Sequence, residues 1–461
     1  MPRFNFYLIL FAILVYALTA DVTLRDRLLI STLHCIEHDA YVEPSAKELF
    51  EGAMSGMTEV LSEGHGDGYT MYVPPSKQGR YQDNLINRSE GLGISTKTYE
   101  EGEEQKLVID FPFLDSPAYR SGLRSGDQIL LIDGVRVADK TNIEIRRLLR
   151  QSNGANTCLS ILPFGQTEPK DFFVHREKFH YDSVVGDYLD SDSPIFRLEA
   201  HPKIGYIGIT SFSESTAEEF GNALEQMVHN RLESFVLDLR ENPGGDVWNC
   251  IQIARMLLSS ASEHNVIVTI HPRNGRERDR VLNEGVPRCT LPMVVLINGD
   301  SASSSEILAA ALQDHKRATV VGTRSFGKGV IQSIFELPFQ SGMMQLTDAE
   351  YRRPNGAIIH RKKNAAESED WGVIPDKIVE LTKAECWAVA QYRTLRSHVV
   401  STERSAVLAY FRQQIITQQN DENKQENSVQ EPFEFTGVAP YYDLQLDEAI
   451  KILLTMGTSD H

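Results

Sequence analysis

Ser301 to Gln332 reads SASSSEILAAALQDHKRATVVGTRSFGKGVIQ, and it follows the apolar run Pro292 to Ile297 and the turn Asn298 to Asp300. The succession of apolar run, turn, helically spaced apolar residues, second apolar run and glycine-rich turn is typical of strand, helix and strand. Strand–helix–strand units of this kind build α/β folds. We therefore predict that this stretch forms the centre of an α/β core.

Ser303 occupies the turn that leads from the first strand into the helix. A serine in that place lies at the edge of a sheet, beside the backbone N–H groups that the first turn of a helix leaves unpaired, and such groups can stabilise a developing oxyanion. Ser303 is therefore a candidate nucleophile, and the next residue, Ser304, can supply an N–H group. Lys328, which lies 328 − 303 = 25 residues further on between two glycines, is a candidate base.

Each of these residues also has a purely structural interpretation. Ser303 and Glu306 fit the S-x-x-E capping box of a helix N-terminus. Lys328 can be a solvated loop lysine. The run Gly322 to Lys328 imitates a phosphate-binding loop, but Gly329 stands where a Ser or Thr hydroxyl would reach Mg²⁺, which argues against nucleotide binding.

Three motifs together resemble one family of peptidases. They are SASSSEI from Ser301, GTRSFGKGVIQ from Gly322 and DLRENPGG from Asp238. Together they look like the C-terminal processing (tail-specific) serine peptidases. The resemblance implies that Ser303 is the nucleophile and Lys328 the general base.

The resemblance also implies that Gln332, four residues after the lysine, orients the base. A serine hydroxyl is a weak nucleophile until a base removes its proton, and lysine can do so only where burial depresses its pKa and leaves it neutral. A neutral glutamine amide can hold the amine without recharging it. We expect three apolar neighbours to enclose Lys328: Phe326, Val330 and Ile331.

The motif Asn242 to Gly245 lies between a predicted strand and a predicted helix. Its glycines either form a simple turn or bring a backbone N–H group close to a substrate carbonyl. The resemblance implies that Gly244 or Gly245 supplies one half of the oxyanion hole, and we favour Gly245. Ser304 would supply the other half, and it stands where the family usually has alanine.

The resemblance extends to a PDZ domain between about Asn87 and Lys178. It rests on Gly91-Leu92-Gly93-Ile94 and on DSPAYRSGLRSGDQILLIDG, which begins at Asp115. In such a domain the backbone N–H groups of Leu92, Gly93 and Ile94 would bind the carboxylate of a peptide that adds to a strand edge. A helix from Asn142 to Arg150 would form the groove wall, with Ile145 and Leu149 as pocket residues. The expected partners are therefore protein substrates with free apolar C-terminal tails.

The chain has 461 residues, a hydrophobic content of 41% and a net charge of −18. These values indicate a soluble protein of two or three domains and argue against nucleic acid as a partner. Five scattered cysteines predict neither a disulfide framework nor a metal knuckle. His34 to His38 spells H-x-x-E-H, but no third ligand can be chosen, so we expect no metal and no cofactor.

Residues Phe4 to Ala20 are almost wholly apolar behind Arg3 and predict a secretory signal peptide. An uncleaved membrane anchor is the alternative, because 17 residues approach a spanning length. Either alternative predicts an exported protein, on the periplasmic or extracellular face. Association of copies through the N- or C-terminal helices stays open.

The predicted fold is an α/β protease core, a crotonase-like or ClpP-like βαβ sheet by the resemblance, with an inserted PDZ domain and an N-terminal helical segment. From Gly205 onward, short apolar runs alternate with helical patterns, which also favours this class. The predicted division is a leader at 1–20, an N-terminal helical region at 21–86, the PDZ domain at 87–178, a Ser/Lys peptidase core at 179–400, and a C-terminal helical region at 401–461 with a polar linker at 418–430.

Two functions follow. The first is an exported serine endopeptidase that uses a Ser/Lys dyad to cleave proteins near their C-termini, with tails selected by the PDZ domain. The second is a non-catalytic PDZ adaptor on a protease-like fold. The presence of Ser303, Lys328 and Gln332 together favours the first.

Overall fold

The computed structural model describes residues 24–64, 67–101, 104–150, 156–190, 193–260, 265–273, 279–366, 368–400, 405–411 and 443–457. The chain divides into two compact units. The first comprises Met1–Gln78 and Gln332–Thr347, and the second comprises Gly79–Ile331 and Asp348–His461. The predicted leader, at residues 4–20, and the predicted polar linker, at 418–430, lie outside the described residues.

In the first unit, the predicted N-terminal helical region contains two helices, α1 (Leu24–Asp39) and α2 (Ala46–Glu59), followed by a π-helical turn (Val60–Gly64). Ser45 and Glu48 form a reciprocal capping box that starts α2, since each satisfies a backbone N–H group that the first turn leaves unpaired. Strand β1 (Met71–Val73) pairs antiparallel with residues 343–345. Helix α1 buries none of its residues.

Within the second unit, the segment predicted to be a PDZ domain forms a small sheet with two helices. The sheet has the order β3-β4-β5-β7-β8, with β6 paired to β5. Helix α5 matches the predicted groove helix in its bounds, and Ile145 packs into the core of this sheet. The elements, after α3 (Pro75–Leu85), are β2 (Arg88–Gly91), β3 (Ile94–Glu101), β4 (Glu104–Pro112), α4 (Pro117–Arg120), β5 (Gln128–Ile132), β6 (Val135–Arg136), α5 (Asn142–Arg150), β7 (Asn156–Leu162), β8 (Lys170–His175) and β9 (Glu177–His180).

The predicted α/β core is confirmed. A six-stranded sheet has the order β10-β13-β14-β17-β18-β21, and β13 to β21 run parallel along it. The strands and helices are β10 (Val184–Val185), β11 (Tyr188–Asp190), β12 (Ser193–Ile195), β13 (Ile204–Ile209), α6 (Thr216–His229), β14 (Ser234–Asp238), α7 (Val247–Leu257), β15 (Val266–Pro272), β16 (Asp279–Leu282), β17 (Met293–Ile297), α8 (Ser304–Asp314), β18 (Thr319–Gly322), β19 (Val330–Glu336), β20 (Met343–Arg352) and β21 (Lys377–Ile378). In the second unit β15 also pairs antiparallel with β16 and with the end of β20.

Both faces of the central sheet are covered, which explains why every residue of β13, β14 and β17 is buried. Helices α6, α7 and α8 pack on one face. The C-terminal helix α10 (Leu444–Gly457) packs on the other face through Ala449, Ile450 and Leu453. Helix α9 (Lys383–His398) and a helical segment at 405–411 precede α10 in the chain. They pack against β3 and β4 of the smaller sheet.

The order of the parallel strands determines where the candidate residues meet. Strands β14, β17 and β18 are neighbours, and the loops at 239–246, 298–303 and 323–329 follow their carboxyl ends. Carboxyl ends of parallel strands share one edge of a sheet, which is where α/β proteins place their binding sites.

Within the described ranges, the helices are all too short or too polar to cross a bilayer.

Candidate active site

Ser303 caps α8 in a strained backbone conformation, with φ 57° and ψ −117°. Positive φ is unfavourable for a residue with a Cβ atom, costs roughly 1–3 kcal/mol, and persists where the surrounding structure enforces it, often at active sites. The same strand–turn–helix setting exposes the nucleophile of α/β-hydrolases. The N–H group of Ser303 donates to Oε2 of Glu306 at 2.8 Å, and the Glu306 N–H donates to the Ser303 carbonyl oxygen at 2.8 Å.

The glycine turn after β14 lies directly against Ser303. Gly244 has φ 98°, and a Cβ atom on it would lie 2.6 Å from the Ser303 Cβ. Gly245 has φ 136°, and its Cβ would lie 2.0 Å from the carbonyl oxygen of Phe212. Both positions therefore require glycine, for conformation and for space.

Of the two glycines, Gly245 keeps its amide available. The N–H group of Gly244 donates to Oδ1 of Asn242 at 2.8 Å. Among the described residues, the N–H groups of Gly245 and Ser304 donate to no protein acceptor. The arrangement thus leaves two backbone donors beside Ser303, from the glycine turn and from the first residue of α8.

The loop that carries Lys328 is held by its backbone. The Lys328 N–H group donates to Oε2 of Glu306 at 2.8 Å, and the Gly327 N–H group donates to Oε1 at 2.7 Å. The Lys328 carbonyl oxygen accepts from the Tyr351 hydroxyl. The amides of Ser303 and Lys328 therefore converge on one carboxylate oxygen, which keeps their two nitrogens within about twice 2.8 Å of each other.

The expected apolar enclosure of Lys328 is partial. Phe326 is 47% exposed, so it does not form a buried wall. Val330 and Ile331 are half-buried, and Ile331 packs against the main core. The Lys328 side chain itself is half-buried.

Glu306 is the central residue that sequence reasoning missed, because S-x-x-E was interpreted as a helix cap alone. Its carboxylate is completely buried and also accepts from the Ser325 hydroxyl at 2.6 Å. Burial raises the pKa of the Glu306 carboxyl to about 7, against the hydrogen bonds from Ser325 and from the amides of Gly327, Ser303 and Lys328, which lower it. The signal in the sequence was a glutamate at a position that the helix otherwise fills with apolar residues.

Gln332 lies in β19, within the first unit. Its side-chain amide donates to the Thr347 hydroxyl at 3.2 Å, and Thr347 donates to Oδ1 of Asp67 at 2.5 Å. The glutamine is therefore oriented by a short chain of hydrogen bonds inside its own unit. Its role toward the lysine stays a prediction.

Comparison with known proteins now identifies the family. A family model described as Peptidase family S41 matches residues 203–379, and a PDZ domain model matches residues 83–162. The carboxyl-terminal-processing protease of Synechocystis sp. is 34% identical over 312 residues, covering 68% of this chain and 67% of that protein. The carboxy-terminal-processing protease of Bartonella bacilliformis is 32% identical, covering 73% of this chain and 71% of that protein. The chain belongs to the carboxyl-terminal-processing proteases.

The protease is accordingly a serine-type endopeptidase of family S41 with a PDZ domain. Among solved structures, the photosystem II D1 C-terminal processing protease is similar, with 24% identity, a TM-score of 0.41, and coverage of 76% of this chain and 86% of that one. The family resemblance stated from the sequence motifs is confirmed.

Behind the glycine turn the protease holds a buried ion network that sequence analysis also missed. Arg240 contacts Asp238 at 2.7 Å and Asp443 at 2.8 Å, and Arg393 contacts Asp238 at 2.8 Å. Burial by itself raises the pKa of Asp238, but the two guanidinium groups reverse this and hold it below its usual value. The strand end that leads to Gly245 is therefore anchored to α9 by Arg393 and to the start of α10 by Asp443. The available signal was a charged pair directly after an apolar strand.

The predicted carboxylate loop of the PDZ domain is fixed through its carbonyl groups. The Leu92 carbonyl oxygen accepts from the Ala118 N–H, and the Gly93 carbonyl oxygen accepts from the Phe113 N–H and the Ser116 hydroxyl, all at 2.9 Å. In the described part of the chain, no acceptor is recorded for the N–H groups of Leu92 and Gly93. Ile94 begins β3.

The other candidates for ligand binding are less organised. His34 and His38 stack on each other on the exposed helix α1, with ring centroids 6.2 Å apart. His180, Asp182 and Glu219 bring ligand-type atoms within 4.8 Å of one another. The Glu219 carboxylate already accepts from Ser183, Val184 and Ser215.

Replacing Glu306 by glutamine is expected to destabilise the protease and to reduce its turnover. A glutamine side chain offers one acceptor oxygen where the carboxylate offers two. If the amide nitrogen takes the place of Oε2, the N–H groups of Ser303 and Lys328 lose their acceptor. Each such loss costs about 1–3 kcal/mol of unfolding free energy. Chemical denaturation measures the change, with the exposed Glu218→Gln as a matched control that should change little.

The difference in unfolding free energy between the wild type and Glu306→Gln should depend on pH, in a direction set by the pKa of Glu306. The pKa of Glu306 is about 7 when folded against a reference of 4.5, so the folded state binds this proton more tightly. The carboxyl therefore contributes stability below its unfolded pKa, and the contribution is lost as the pH rises through the folded pKa. The stability advantage of the wild type over Glu306→Gln should widen by up to about 3 kcal/mol as the pH falls across this window. A difference independent of pH would contradict the burial argument.

Proposed function

We propose that the protease cleaves peptide bonds with Ser303 as nucleophile and Lys328 as general base. The observation that carries the proposal is the shared carboxylate oxygen of Glu306, which accepts from both backbone amides at 2.8 Å. This arrangement fixes the two residues relative to each other before substrate arrives, and preorganisation is a large part of catalytic rate. Gln332 is proposed to orient the lysine amine.

In the proposed reaction, Lys328 in its neutral form removes the proton from the Ser303 hydroxyl as the oxygen attacks the scissile carbonyl carbon. The C–N bond then breaks, and the protonated lysine returns the proton to the leaving amine. In the second half of the reaction the neutral lysine removes a proton from water as the water oxygen attacks the acyl carbon. The ester C–O bond then breaks, and the lysine returns the proton to the Ser303 oxygen. The oxyanion of both tetrahedral intermediates is proposed to accept from the N–H groups of Gly245 and Ser304, because within the described part of the chain these two amides have no acceptor, while that of Gly244 donates to Asn242.

Substitution of the dyad tests this mechanism. Ser303→Ala is expected to abolish turnover, and Lys328→Met, which keeps the apolar stem, is expected to lower kcat/KM by about 10²–10⁴-fold, the usual size of a general-base contribution. Because the base must be neutral, wild-type kcat/KM should rise with pH. Cleavage of a partly unfolded protein with an apolar tail measures both effects.

Lys203→Met serves as the matched control, since this lysine is exposed and pairs with Glu233 at the surface. Undiminished cleavage by Ser303→Ala would refute the mechanism. Tail binding without any cleavage by the wild type would favour the alternative, a PDZ adaptor on a protease-like fold.

The PDZ domain is proposed to select substrates by a free C-terminal carboxylate. The support is the loop at Leu92 and Gly93, whose carbonyl groups accept hydrogen bonds while its amides meet no acceptor among the described residues. Strand β3 is the edge strand of the smaller sheet, as strand addition requires, and its Thr98 hydroxyl donates to Oδ1 of Asn142 at the start of α5 at 2.7 Å. On α5, Ile145 is buried in the domain core, so the half-buried Leu149 is the better candidate for contact with an apolar tail residue.

Amidation of the substrate tail tests the carboxylate proposal. Hydrogen bonds to a charged group contribute about 1.5–3 kcal/mol, so removing the charge should weaken recognition by roughly 10- to 100-fold. Two peptides that differ only in a free or amidated C-terminus should compete unequally at sub-saturating concentration. A peptide ending in aspartate is the control for side-chain preference. Equal cleavage of the free and amidated peptides would show that the loop does not bind carboxylates.

Export is proposed from the leader-like run Phe4 to Ala20. N-terminal sequencing of the protein purified from its own cells distinguishes cleavage near Ala20 from a retained anchor, and recovery from the cytoplasm with Met1 intact would contradict export.

Association of copies through α1 is also proposed, because Leu28 and Leu29 are 58% and 48% exposed. The mass of the purified protein in solution measures it.

A further inference from the structure

Hydrogen bonds join the segment around Ser303 (the serine turn) to the segment from Asn242 to Gly245 (the glycine turn). The Ala302 N–H group and the Ser305 hydroxyl both donate to the Asn242 carbonyl oxygen at 2.9 Å. A further bond of the same kind runs from the Ser304 hydroxyl to the Gly245 carbonyl oxygen, at 2.9 Å. Ser304 is completely buried, and its hydroxyl reaches the exposed Gly245.

The opposite side of the glycine turn is held by the backbone of Phe212. Its N–H group donates to the Gly244 carbonyl oxygen at 2.9 Å, and its own carbonyl oxygen accepts from the Asp246 N–H at 2.8 Å. These two bonds fix the peptides on either side of Gly245. The Gly245 carbonyl faces the other way, toward α8, where the Ser304 hydroxyl meets it.

The Ser304 hydroxyl adds a second restraint on Gly245, on the side opposite Phe212. Glycine has no Cβ to limit rotation, and at φ 136° it occupies a region that side chains rarely adopt. Rotation about this residue would move its N–H group out of the place proposed for it in the oxyanion hole. A bond to its carbonyl oxygen opposes that rotation.

We infer that the Ser304 hydroxyl is a positioning group that holds the Gly245 amide in line with the Ser304 amide. The inference rests on the proposed oxyanion role of these two N–H groups. One residue then supplies a donor through its backbone and, through its side chain, sets the distance to the other donor. Alanine, which the family resemblance leads one to expect here, would supply the first and lack the second.

Ser304→Ala tests the inference with little risk to the fold, because it exchanges one small side chain for another. Displacement of an oxyanion donor slows the chemical step, and a misplacement of this kind is expected to lower kcat by roughly 10-fold, less than the 10²–10³-fold loss of a donor removed outright. KM should stay the same. Inhibition by a peptide boronate, whose tetrahedral adduct carries an oxygen in the same place, should weaken in parallel with kcat.

The matched control is Ser397→Ala, which deletes another buried serine hydroxyl that donates to a backbone carbonyl, that of Thr394 at 3.0 Å, within α9. A merely structural role for Ser304 would lower the thermal midpoint and change tail-peptide binding as well. Binding is therefore compared between Ser303→Ala and the Ser303→Ala/Ser304→Ala double variant, where equal affinity is expected.

A readout that needs no turnover separates this inference from the proposed mechanism. Hydrogen exchange of the peptide covering residues 240–247 should accelerate in Ser304→Ala and remain unchanged in Ser397→Ala. If Ser303→Ala is inactive but Ser304→Ala matches the wild type in kcat, in boronate affinity and in exchange, the inference is overturned and the mechanism stands. If Ser303→Ala is active, the mechanism fails, and unchanged exchange in Ser304→Ala would overturn the positioning role independently.

Discussion

The arrangement of the candidate active site depends on the carboxylate of Glu306. A buried carboxylate without partners would be strongly unfavourable, and here backbone amides from two separate loops and the Ser325 hydroxyl supply the partners. The same hydrogen bonds give those loops a common reference point. The strained backbone of Ser303 is maintained because relaxing it would withdraw an N–H group from this carboxylate.

The central sheet brings the glycine turn beside the two loops that donate to Glu306. The loops after β14, β17 and β18 meet because these three strands are parallel neighbours. Each loop supplies a different part of the site, namely the glycine turn, the serine turn and the lysine turn. The glycine turn is stabilised at its base by Arg240 and Arg393, whose charges balance Asp238 in a place where an unpaired charge would be costly.

Much of this arrangement could be predicted from local sequence signals. The strand, turn and helix around Ser303 follow from apolar spacing, because each element is set by residues close together in the chain. The function of Glu306 could not be separated from a helix cap, since the same S-x-x-E pattern encodes both. The ion pair of Arg240 and Asp443 could not be predicted from the sequence, because 203 residues separate the two. The sequence could not show that Asn242 accepts from the Gly244 amide, because that depends on the direction of a side chain in the folded loop.

The helix α10 gives the protease an order of assembly. It covers the sheet face that contains Val236, Val294 and Leu296, yet it begins 444 − 297 = 147 residues after β17 ends. A ribosome therefore completes the serine turn long before Asp443 exists to neutralise Arg240, and contacts so distant in sequence form late in folding. Until α10 has been synthesised, this sheet face lacks its cover and Arg240 lacks one of its two carboxylate partners. The three loops of the candidate site can therefore reach their final arrangement only in the full-length chain.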